Sequence, residues 1–260
     1  MAEGDTIHRN ARRLAAALGD APLTRAEAPS PRSSLRAQPQ RLAALVGRRL
    51  IGADAHGKHL FLRFEGDLVL HSHQGMNGSW HTYRPDERWR KPRGAAWAVL
   101  ANERAEAVEF NGTRLALRTA GELRLDPRLR ALGPDILAPG FDEAAGVAAL
   151  RGRAAQSATL GDALLDQTVI AGIGNIFKSE GCWEARVDPW RKLGELSDED
   201  LARVSAATRA LMSAAVENGR EPTRVYKRTG EPCPRCGTCI RSRGQGDANR
   251  TTYWCPACQT

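Results

Sequence analysis

The chain ends in two Cys-x-x-Cys pairs, Cys233-Pro-Arg-Cys236 and Cys255-Pro-Ala-Cys258, which are separated by residues 237–254. Two such pairs at this separation can present four thiolates tetrahedrally to one zinc ion. Residues 223–260 are too few to bury a core that folds alone, so a bound metal would supply the missing folding free energy. This end of the chain therefore predicts a zinc finger whose ligands are Cys233, Cys236, Cys255 and Cys258.

Disulfides and a chance pattern are the alternatives to zinc. The start, Met-Ala-Glu-Gly-Asp-Thr, is acidic and has no apolar core behind a basic stretch, so it does not resemble a secretory signal, and thiols are kept reduced in the cytoplasm. We therefore expect zinc rather than disulfides. For Cys239 we expect a free thiol, with an alternate metal ligand as the other possibility, and for Cys182 a packing role inside a helix.

Positive charge is in excess and is concentrated at the C-terminus. The chain carries 38 Lys and Arg against 30 Asp and Glu, a formal net charge of +8. Seven basic and two acidic residues fall within residues 223–260. This balance favours a polyanionic partner, nucleic acid before a membrane surface, and no apolar run approaches the roughly 20 residues of a membrane helix.

The spacing of apolar residues changes along the chain. Apolar residues spaced for a helix follow a cap at Asp5 or Thr6, and Pro22–Pro39 is typical of loop or edge structure. From Leu45 to about Leu125 short apolar runs alternate with turn signals, which predicts a β-sandwich or barrel. These runs are Leu60–Phe64, Leu68–Leu70, Trp97–Leu100, Val108–Phe110 and Leu115–Leu117.

Helical patterns replace the strand texture after Leu132. They cover Glu143–Leu150, Leu160–Gln167, Asn175–Glu184 and Asp198–Asn218, and the last begins with a capping-box pattern at Ser197. We therefore expect an α+β chain of three domains: an N-terminal β-sandwich domain at residues 1–133, a helical domain at 134–222 and a zinc-finger module at 223–260.

Three further motifs suggest contacts with phosphate. Gly172-Ile173-Gly174-Asn175 describes a tight turn that leads into a helix, where backbone N–H groups and an amide can bind an anion; an ordinary helix–helix turn is the alternative. Arg250 lies near the tip of an expected hairpin between the cysteine pairs, and its guanidinium matches two phosphate oxygens. Gly57-Lys58 and Gly75-Met76-Asn77-Gly78 are unremarkable alone, since Lys58 could be a surface lysine and Met76 a core residue.

Together these motifs resemble the bacterial formamidopyrimidine-DNA glycosylase/endonuclease VIII family of base-excision repair enzymes. The resemblance covers nearly the whole chain in the same order. It includes the start Ala2-Glu3-Gly4-Asp5, Gly57-Lys58, His73–Gly78, the block from Gln167 to Phe177, and the cysteine hairpin with Arg250. The Glu-Gly-Asp-Thr start is closer to the endonuclease VIII side, in particular an actinobacterial-type branch.

The resemblance implies a β-sandwich, a helix–two-turn–helix domain and a zinc finger that act on double-stranded DNA with oxidised bases or abasic sites. It implies that, after Met1 is removed, the α-amino group of Ala2 attacks C1′, expels a damaged base, preferably a pyrimidine, and forms a Schiff base. β- and δ-elimination then cut the strand, with Glu3 as the acid/base. By the same resemblance Lys58, Asn175 and Arg250 hold the flanking phosphates, and Met76 fills the gap left by the flipped base. The expected protein is a monomer in the bacterial cytoplasm, associated with the nucleoid.

This sequence departs from the family pattern at the nucleophile. The family usually has Pro at position 2, whose secondary amine gives a charged iminium directly, and Ala2 offers a primary amine instead. Thr6 stands where many members have a second carboxylate, and Phe177 stands where a Tyr often contacts phosphate. The leading hypothesis is a glycosylase with abasic-site lyase activity. A protein that binds damaged DNA without cutting it is the second, and a zinc-ribbon nucleic-acid protein without a repair role is a remote third.

Overall fold

The structure, a computed structural model, describes residues 2–153 and 158–260. The expected removal of Met1 therefore lies outside the described residues. The described chain divides into two compact units, one formed by Ala2 with Thr6–Arg130 and one by Glu3–Asp5 with Ala131–Thr260. No helix among the described residues is both long and apolar enough to cross a membrane.

Eight strands and four α-helices build the first unit. The strands are β1 (Arg25–Glu27), β2 (Leu50–His56), β3 (His59–Phe64), β4 (Leu68–His73), β5 (Ser79–Tyr83), β6 (Ala96–Ala101), β7 (Glu106–Phe110) and β8 (Arg114–Arg118). The helices are α1 (Gly4–Leu18), α2 (Pro39–Ala43), α3 (Ala120–Arg124) and α4 (Pro127–Arg130), with single 3-10 turns at Ser34–Ala37 and Arg93–Ala95. The strands form two antiparallel sheets, in the orders β1-β6-β7-β5 and β2-β3-β4-β8.

Both sheets contribute to one apolar core, which confirms the predicted sandwich. The cluster joins side chains of α1 to side chains of each sheet, for example Ile7, Leu14, Leu62, Leu70, Trp80 and Leu100. Because successive strand residues face opposite sides, each strand places every second side chain in this core. Burial of this apolar area is the main free energy that holds the two sheets together.

The predicted strands are confirmed as β3, β4, β6, β7 and β8, and three strands were missed. Strand β1 falls within Pro22–Pro39 and lies at a sheet edge. This agrees with the edge structure expected there as an alternative to a loop, although no strand bounds were predicted. β2 and β5 lack continuous apolar runs, and Ile51 of the edge strand β2 is 67% exposed. Helix α1 begins at Gly4 rather than after Asp5, so Glu3 directly precedes its first turn.

The second unit contains four helices and one hairpin. They are α5 (Glu143–Arg153), α6 (Leu160–Leu165), α7 (Asn175–Glu184), α8 (Asp198–Asn218), and the antiparallel strands β9 (Arg241–Gln245) and β10 (Arg250–Trp254); a 3-10 turn covers Leu193–Glu195. Helices α7 and α8 have the predicted bounds, whereas α6 ends earlier and α5 runs further.

Helix α8 is fixed at both ends by local chemistry. The Ser197 hydroxyl accepts from the Asp200 N–H at 3.1 Å, and the Asp200 carboxylate accepts from the Ser197 N–H at 3.2 Å, which confirms the predicted capping box. At the other end Gly219 adopts φ = 72°, a left-handed conformation that glycine reaches at no steric cost.

Candidate DNA-repair site

The carboxylate of Glu3 lies on the N-terminus of α7, within the second unit. Glu3 is fully buried. Its Oε1 accepts from the Ile176 N–H at 2.9 Å and its Oε2 from the Phe177 N–H at 3.3 Å. These N–H groups have no partner within the helix, and the helix dipole favours an anion at this end. The site that sequence analysis assigned to phosphate therefore receives a carboxylate of the same chain.

Two glycines of the Gly172-Ile173-Gly174 turn make this docking possible. A Cβ on Gly174 would stand 2.1 Å from the Glu3 Cδ. A Cβ on Gly4 would stand 2.9 Å from the Gly172 Cα, and the Gly4 N–H donates to the Gly172 carbonyl at 2.9 Å. Gly172 itself has φ = 106°. The motif thus provides room for a carboxylate and a close backbone approach.

Gln167 holds this turn from inside. Its Oε1 accepts from the Gly172 N–H at 3.0 Å, and its Nε2 donates to the Ile173 carbonyl at 3.0 Å and to the Leu165 carbonyl at 2.9 Å. One amide therefore satisfies three backbone groups on both sides of the turn. This fixes the turn that receives Glu3.

Asn175 connects α7 to the hairpin that carries Arg250. The Asn175 amide nitrogen donates to the Thr251 carbonyl at 2.8 Å. The Asn175 side chain also forms a hydrogen bond with Tyr226, which opposes the rise of that phenol's pKa. Arg250 is exposed at the first position of β10 and pairs with Gln245 of β9, so its predicted place near the hairpin tip is confirmed.

Lys178 is a buried cation that sequence analysis missed. It is 0% exposed, and its Nζ donates to the Thr252 hydroxyl at 2.5 Å. Thr252 in turn donates to Gln245 Oε1 at 2.5 Å, and Gln245 Nε2 donates to the Thr159 hydroxyl at 2.8 Å. Burial lowers the pKa of Lys178 to about 8, against the opposing effects of Cys182, Asp162 and Glu3.

Glu180, also missed, ties α7 to the segment before the zinc finger. This buried carboxylate accepts three backbone N–H groups, from Arg224, Val225 and Tyr226, at 2.8–2.9 Å. Burial first, and then the nearby Glu3 carboxylate, raises the pKa of Tyr226. A usable signal existed in the sequence, because Glu180 stands three residues from both Phe177 and Trp183 on one helix face.

The four predicted zinc ligands lie together. The Sγ atoms of Cys233, Cys236, Cys255 and Cys258 are all within 4.8 Å of one another, with 3.9 Å from Cys233 to Cys258 and 3.5 Å from Cys236 to Cys255. A zinc tetrahedron with bonds of about 2.3 Å has S–S edges of roughly 3.8 Å, so the four thiolates fit one zinc ion. The Trp183 indole donates to Cys233 Sγ at 3.4 Å, an outer contact that orients this ligand. Cys239 is exposed outside the cluster, and Cys182 is buried in α7.

Lys58 lies at a basic edge of the first unit. It occupies the turn between β2 and β3, after Gly57 with φ = 58°. Burial, then the positive charges of Arg114 and Lys58, lower the pKa of His73. His59 Nδ1 and His71 Nε2 are 2.8 Å apart, and burial lowers their pKa values to about 3 and about 4. The histidines are thus neutral near pH 7, and the positive charge comes from Lys58 and Arg114.

Met76 stands on a tight turn of the same unit. The Gly78 N–H donates to the Gln74 carbonyl at 3.1 Å, and Gly75 has φ = 65°. A Cβ on Gly78 would stand 2.3 Å from the Gln74 carbonyl oxygen. The turn presents Met76 with its side chain 57% exposed, which excludes the alternative of a core residue. Met76 and Ala2 line one cavity of about 330 Å³.

The predicted residues thus fall into two groups. Glu3, Asn175 and the hairpin of Arg250 belong to the second unit, in which Glu3 and Asn175 both lie at the start of α7. Ala2 and Met76 meet at a cavity of the first unit, where Lys58 lies at the edge described above. The chain itself joins the groups, because Ala2 and Glu3 are consecutive.

Family models match nearly the whole chain. The formamidopyrimidine-DNA glycosylase N-terminal domain matches residues 1–128, the formamidopyrimidine-DNA glycosylase H2TH domain residues 132–227, and the zinc finger found in FPG and IleRS residues 230–260. Among curated proteins, "Probable endonuclease 8 2" of Streptomyces coelicolor is 39% identical and covers 100% of this chain and 94% of its own length. The chain belongs to the formamidopyrimidine-DNA glycosylase/endonuclease VIII family.

Other members extend this similarity. "DNA-(apurinic or apyrimidinic site) lyase Nei2" of Mycolicibacterium smegmatis is 36% identical over 100% of this chain and 99% of its own length. A solved structure of Lactococcus lactis formamidopyrimidine-DNA glycosylase, bound to DNA with an abasic site, superimposes with a TM-score of 0.84 over 100% of both chains at 24% identity. The chain therefore has the fold of this family: an N-terminal β domain, a helix–two-turn–helix domain and a zinc finger.

Two departures from the family pattern have clear positions. Phe177 is fully buried in the apolar core of the second unit, so its ring supports the start of α7 from inside. Thr6 lines the cavity beside Ala2. A hydroxyl-bearing side chain therefore stands where many family members have a carboxylate.

Proposed function

We propose that the protein is a bifunctional DNA glycosylase and abasic-site lyase that removes oxidised bases, with pyrimidines as the main substrates. The observation that carries this proposal is the fixed position of Glu3. Its carboxylate is buried on the N-terminus of α7 by two N–H donors, one residue from the α-amino group that processing of Met1 exposes. A nucleophilic amine and a positioned carboxylate are the two groups that this chemistry requires.

The amine of Ala2 is the nucleophile. An α-amino group has a pKa of about 7.7–8.0, so a useful fraction is unprotonated at neutral pH. It attacks C1′ of the damaged nucleotide and the base leaves. The bond from C1′ to the ring oxygen then breaks, that oxygen takes a proton, and the nitrogen and C1′ become an imine. Because Ala2 is a primary amine, this imine must be protonated to accept electrons during β- and δ-elimination. Glu3 transfers the protons in these steps.

Positive and amide groups hold the DNA. Lys58, Asn175 and Arg250 bind the phosphates that flank the extruded nucleotide, and Met76 occupies the gap in the base stack, where an apolar side chain is needed. The exposed guanidinium of Arg250 supports its role, and Asn175 lies beside the hairpin that carries Arg250. The zinc ligands keep the hairpin folded, and the hairpin carries Arg250.

The same proposal covers the setting of the reaction. The substrate is duplex DNA with an oxidised base or an abasic site, the protein acts as a monomer in the bacterial nucleoid, and the domains divide at residues 1–133, 134–222 and 223–260. Relatives named as endonuclease 8 and as an abasic-site lyase support this choice.

Borohydride trapping on a duplex with one abasic site tests the proposal. Reduction converts the imine into a stable amine, so we expect a covalent adduct that mass spectrometry maps to Ala2. Glu3→Gln should lower strand cleavage by about 100-fold or more, whereas the matched variant of an exposed residue, Glu199→Gln, should cleave like the wild type.

Ala2 also favours a second function, binding of damaged DNA without cleavage. An intact Met1 would move the amine by one residue and would have the same consequence. Tight and selective binding of the abasic duplex without any trapped adduct would assign this function and reject the lyase. An adduct at Ala2 would reject the binding-only function.

A further inference from the structure

A cavity beside Ala2 is lined by basic side chains. It measures about 330 Å³ and is lined by Arg9, Arg13 and Lys91, while no acidic residue is among its lining side chains. This volume is at the small end of the range of roughly 300–1,000 Å³ for ligand sites. The size suits one nucleobase better than a whole nucleotide, and the charge suits an anion.

Gln74 supplies an unsatisfied amide in the wall of this cavity. The residue is 1% exposed, and neither its Nε2 nor its Oε1 has a hydrogen-bond partner among the residues that the structure describes. A buried polar group without a partner destabilises the folded state, so native proteins rarely keep one. The backbone of Gln74 is fixed, since its carbonyl accepts from Gly78 N–H and from the Thr113 hydroxyl. A side-chain amide on this fixed backbone has donor and acceptor capacity left, and can pair with an N–H and C=O edge of a ligand.

Two of the basic side chains that line the cavity, Lys91 and Arg13, are held by neutral groups. Lys91 Nζ donates to the Ser79 hydroxyl at 2.9 Å and lies 5.6 Å from the centroid of the Phe110 ring. The Arg13 guanidinium donates to Asn10 Oδ1 at 2.9 Å and to the carbonyl of Trp80. Such partners orient the side chains without cancelling their charge, which preorganises positive potential in the cavity.

We propose that this cavity receives the base as it leaves C1′, that Gln74 pairs with the imide edge of an oxidised pyrimidine, and that Lys91 and Arg13 stabilise the negative charge of the departing base. The proposal rests on the glycosylase function proposed above and names the substrate class and the groups that act on the leaving base. Lys91 and Arg13 would then be catalytic residues and Gln74 a specificity residue.

The step conserves atoms and electrons. The Ala2 nitrogen forms a bond to C1′ as the bond from C1′ to base N1 breaks, and the electron pair of that bond leaves on N1 and spreads to the adjacent carbonyl oxygen. The base departs as an anion, and the nitrogen attached to C1′ is positively charged. The proton that this nitrogen then loses neutralises the base. Positive groups around the base lower the barrier because the anion exists only from the transition state onward.

Leaving-group dependence tests the role of Lys91. The substrates are duplexes with 5-hydroxyuracil or 5,6-dihydrothymine, where saturation of the ring makes the second base a poorer leaving group. In single-turnover assays Lys91→Met should slow release of dihydrothymine by on the order of 100-fold and release of 5-hydroxyuracil several-fold less. Lys91→Arg keeps the charge and should restore most of the rate.

A matched control lies in the same loop. Arg88 is exposed and is not among the residues that line this cavity, so Arg88→Met should slow both bases equally or not at all. Equal losses for the two bases in Lys91→Met would overturn the proposal, because a merely structural change does not depend on the leaving group.

Gln74→Leu tests the pairing and separates the two proposals. It should slow release of either base roughly tenfold more than it slows cleavage of a duplex with a preformed abasic site, which has no base to recognise. Equal slowing of both reactions overturns the role of Gln74 while the glycosylase stands. If the wild-type protein neither releases bases nor cuts abasic sites, the proposed function itself fails.

Discussion

Glu109, in strand β7 of the first unit, and Glu180, in helix α7 of the second, are both fully buried. They differ in the number of hydrogen-bond donors that surround the carboxyl group. Glu180 accepts three backbone N–H groups. Glu109 accepts only the Ser72 hydroxyl, at 2.9 Å, and its Oε2 has no partner. Burial therefore raises the pKa of Glu109 to about 8, although the Ser72 bond opposes the shift.

The difference shows two uses of a buried carboxyl group. In Glu180 three N–H donors replace the water around the side-chain oxygens, so the side chain holds residues 224–226 beside α7. One hydroxyl is too little, so Glu109 is protonated near neutral pH and acts as a polar group inside the sandwich. The second unit uses a buried acidic side chain, bound by backbone N–H groups, to position a segment, whereas the first unit tolerates a buried acid in its neutral form.

Replacement of the Glu180 carboxyl group should have the largest effect. In Glu180→Gln one oxygen remains to accept, and the amide NH₂ faces N–H donors, so at least one buried N–H loses its partner. We expect the free energy of unfolding to fall by about 3–5 kcal/mol, measured by urea denaturation. Glu184→Gln, on the exposed side of the same helix, should change it by less than about 0.5 kcal/mol. Equal effects of the two variants would show that the three N–H bonds do not stabilise this connection.

Glu109→Gln, in contrast, should raise the free energy of unfolding relative to the wild type as pH rises from 4.5 towards about 8. The native pKa of about 8 lies above the ordinary value of 4.5, so between these values the native state holds a proton that the unfolded state has lost. Wild-type stability therefore falls as pH rises across this window, by at most about 1.4 kcal/mol per pH unit, and the variant escapes this loss. Thermal unfolding from pH 5 to pH 9 should show a growing advantage of Glu109→Gln. A constant difference across this range, as expected for the exposed Glu103→Gln, would contradict the raised pKa.

Lys178→Met should give the reverse slope in the second unit. The native pKa of about 8 lies below the ordinary value of 10.5, so between these values the unfolded state holds a proton that the native state has lost. Wild-type stability therefore rises with pH relative to the variant, again by at most about 1.4 kcal/mol per pH unit. Thermal unfolding from pH 8 to pH 10.5 should therefore give Lys178→Met a slope opposite in sign to that of Glu109→Gln between pH 4.5 and about 8. A flat line for Lys178→Met, like that expected for the exposed Lys192→Met, would refute it.

Much of this structure could be predicted from local sequence patterns. The cysteine spacing gave the zinc ligands because four residues on two tight turns define a metal site almost without tertiary information. Helices α7 and α8 were predicted with their observed bounds because Gly174, Ser197 and Gly219 are strong local signals at their ends. The strands with continuous apolar runs were found for the same reason.

The features that sequence analysis missed depend on distant partners. A lysine is normally a surface residue, whereas Lys178 is buried and its Nζ donates to the hydroxyl of Thr252, far along the chain. Glu3 was assigned a proton-transfer role, but nothing near it in sequence indicated that Gly174 leaves room for its carboxylate on α7. The free amide of Gln74 was equally invisible, since only a packed structure shows which polar groups lack partners.

The smallest expected effect comes from substitutions of Thr252. Two variants distinguish the contribution of its hydroxyl, which bonds to Lys178, from the contribution of its methyl group. Thr252→Ser keeps the oxygen that accepts from Lys178 Nζ and donates to Gln245 Oε1, so it should cost less than about 1 kcal/mol of unfolding free energy. Thr252→Val keeps the shape but leaves two buried groups without a partner, and should cost about 1–3 kcal/mol. Urea denaturation of both variants near pH 7 measures the two losses of unfolding free energy. If Ser were the more damaging substitution, packing of the methyl group rather than the hydrogen bonds would hold β10 against α7, and the second unit would not be positioned by its buried polar groups.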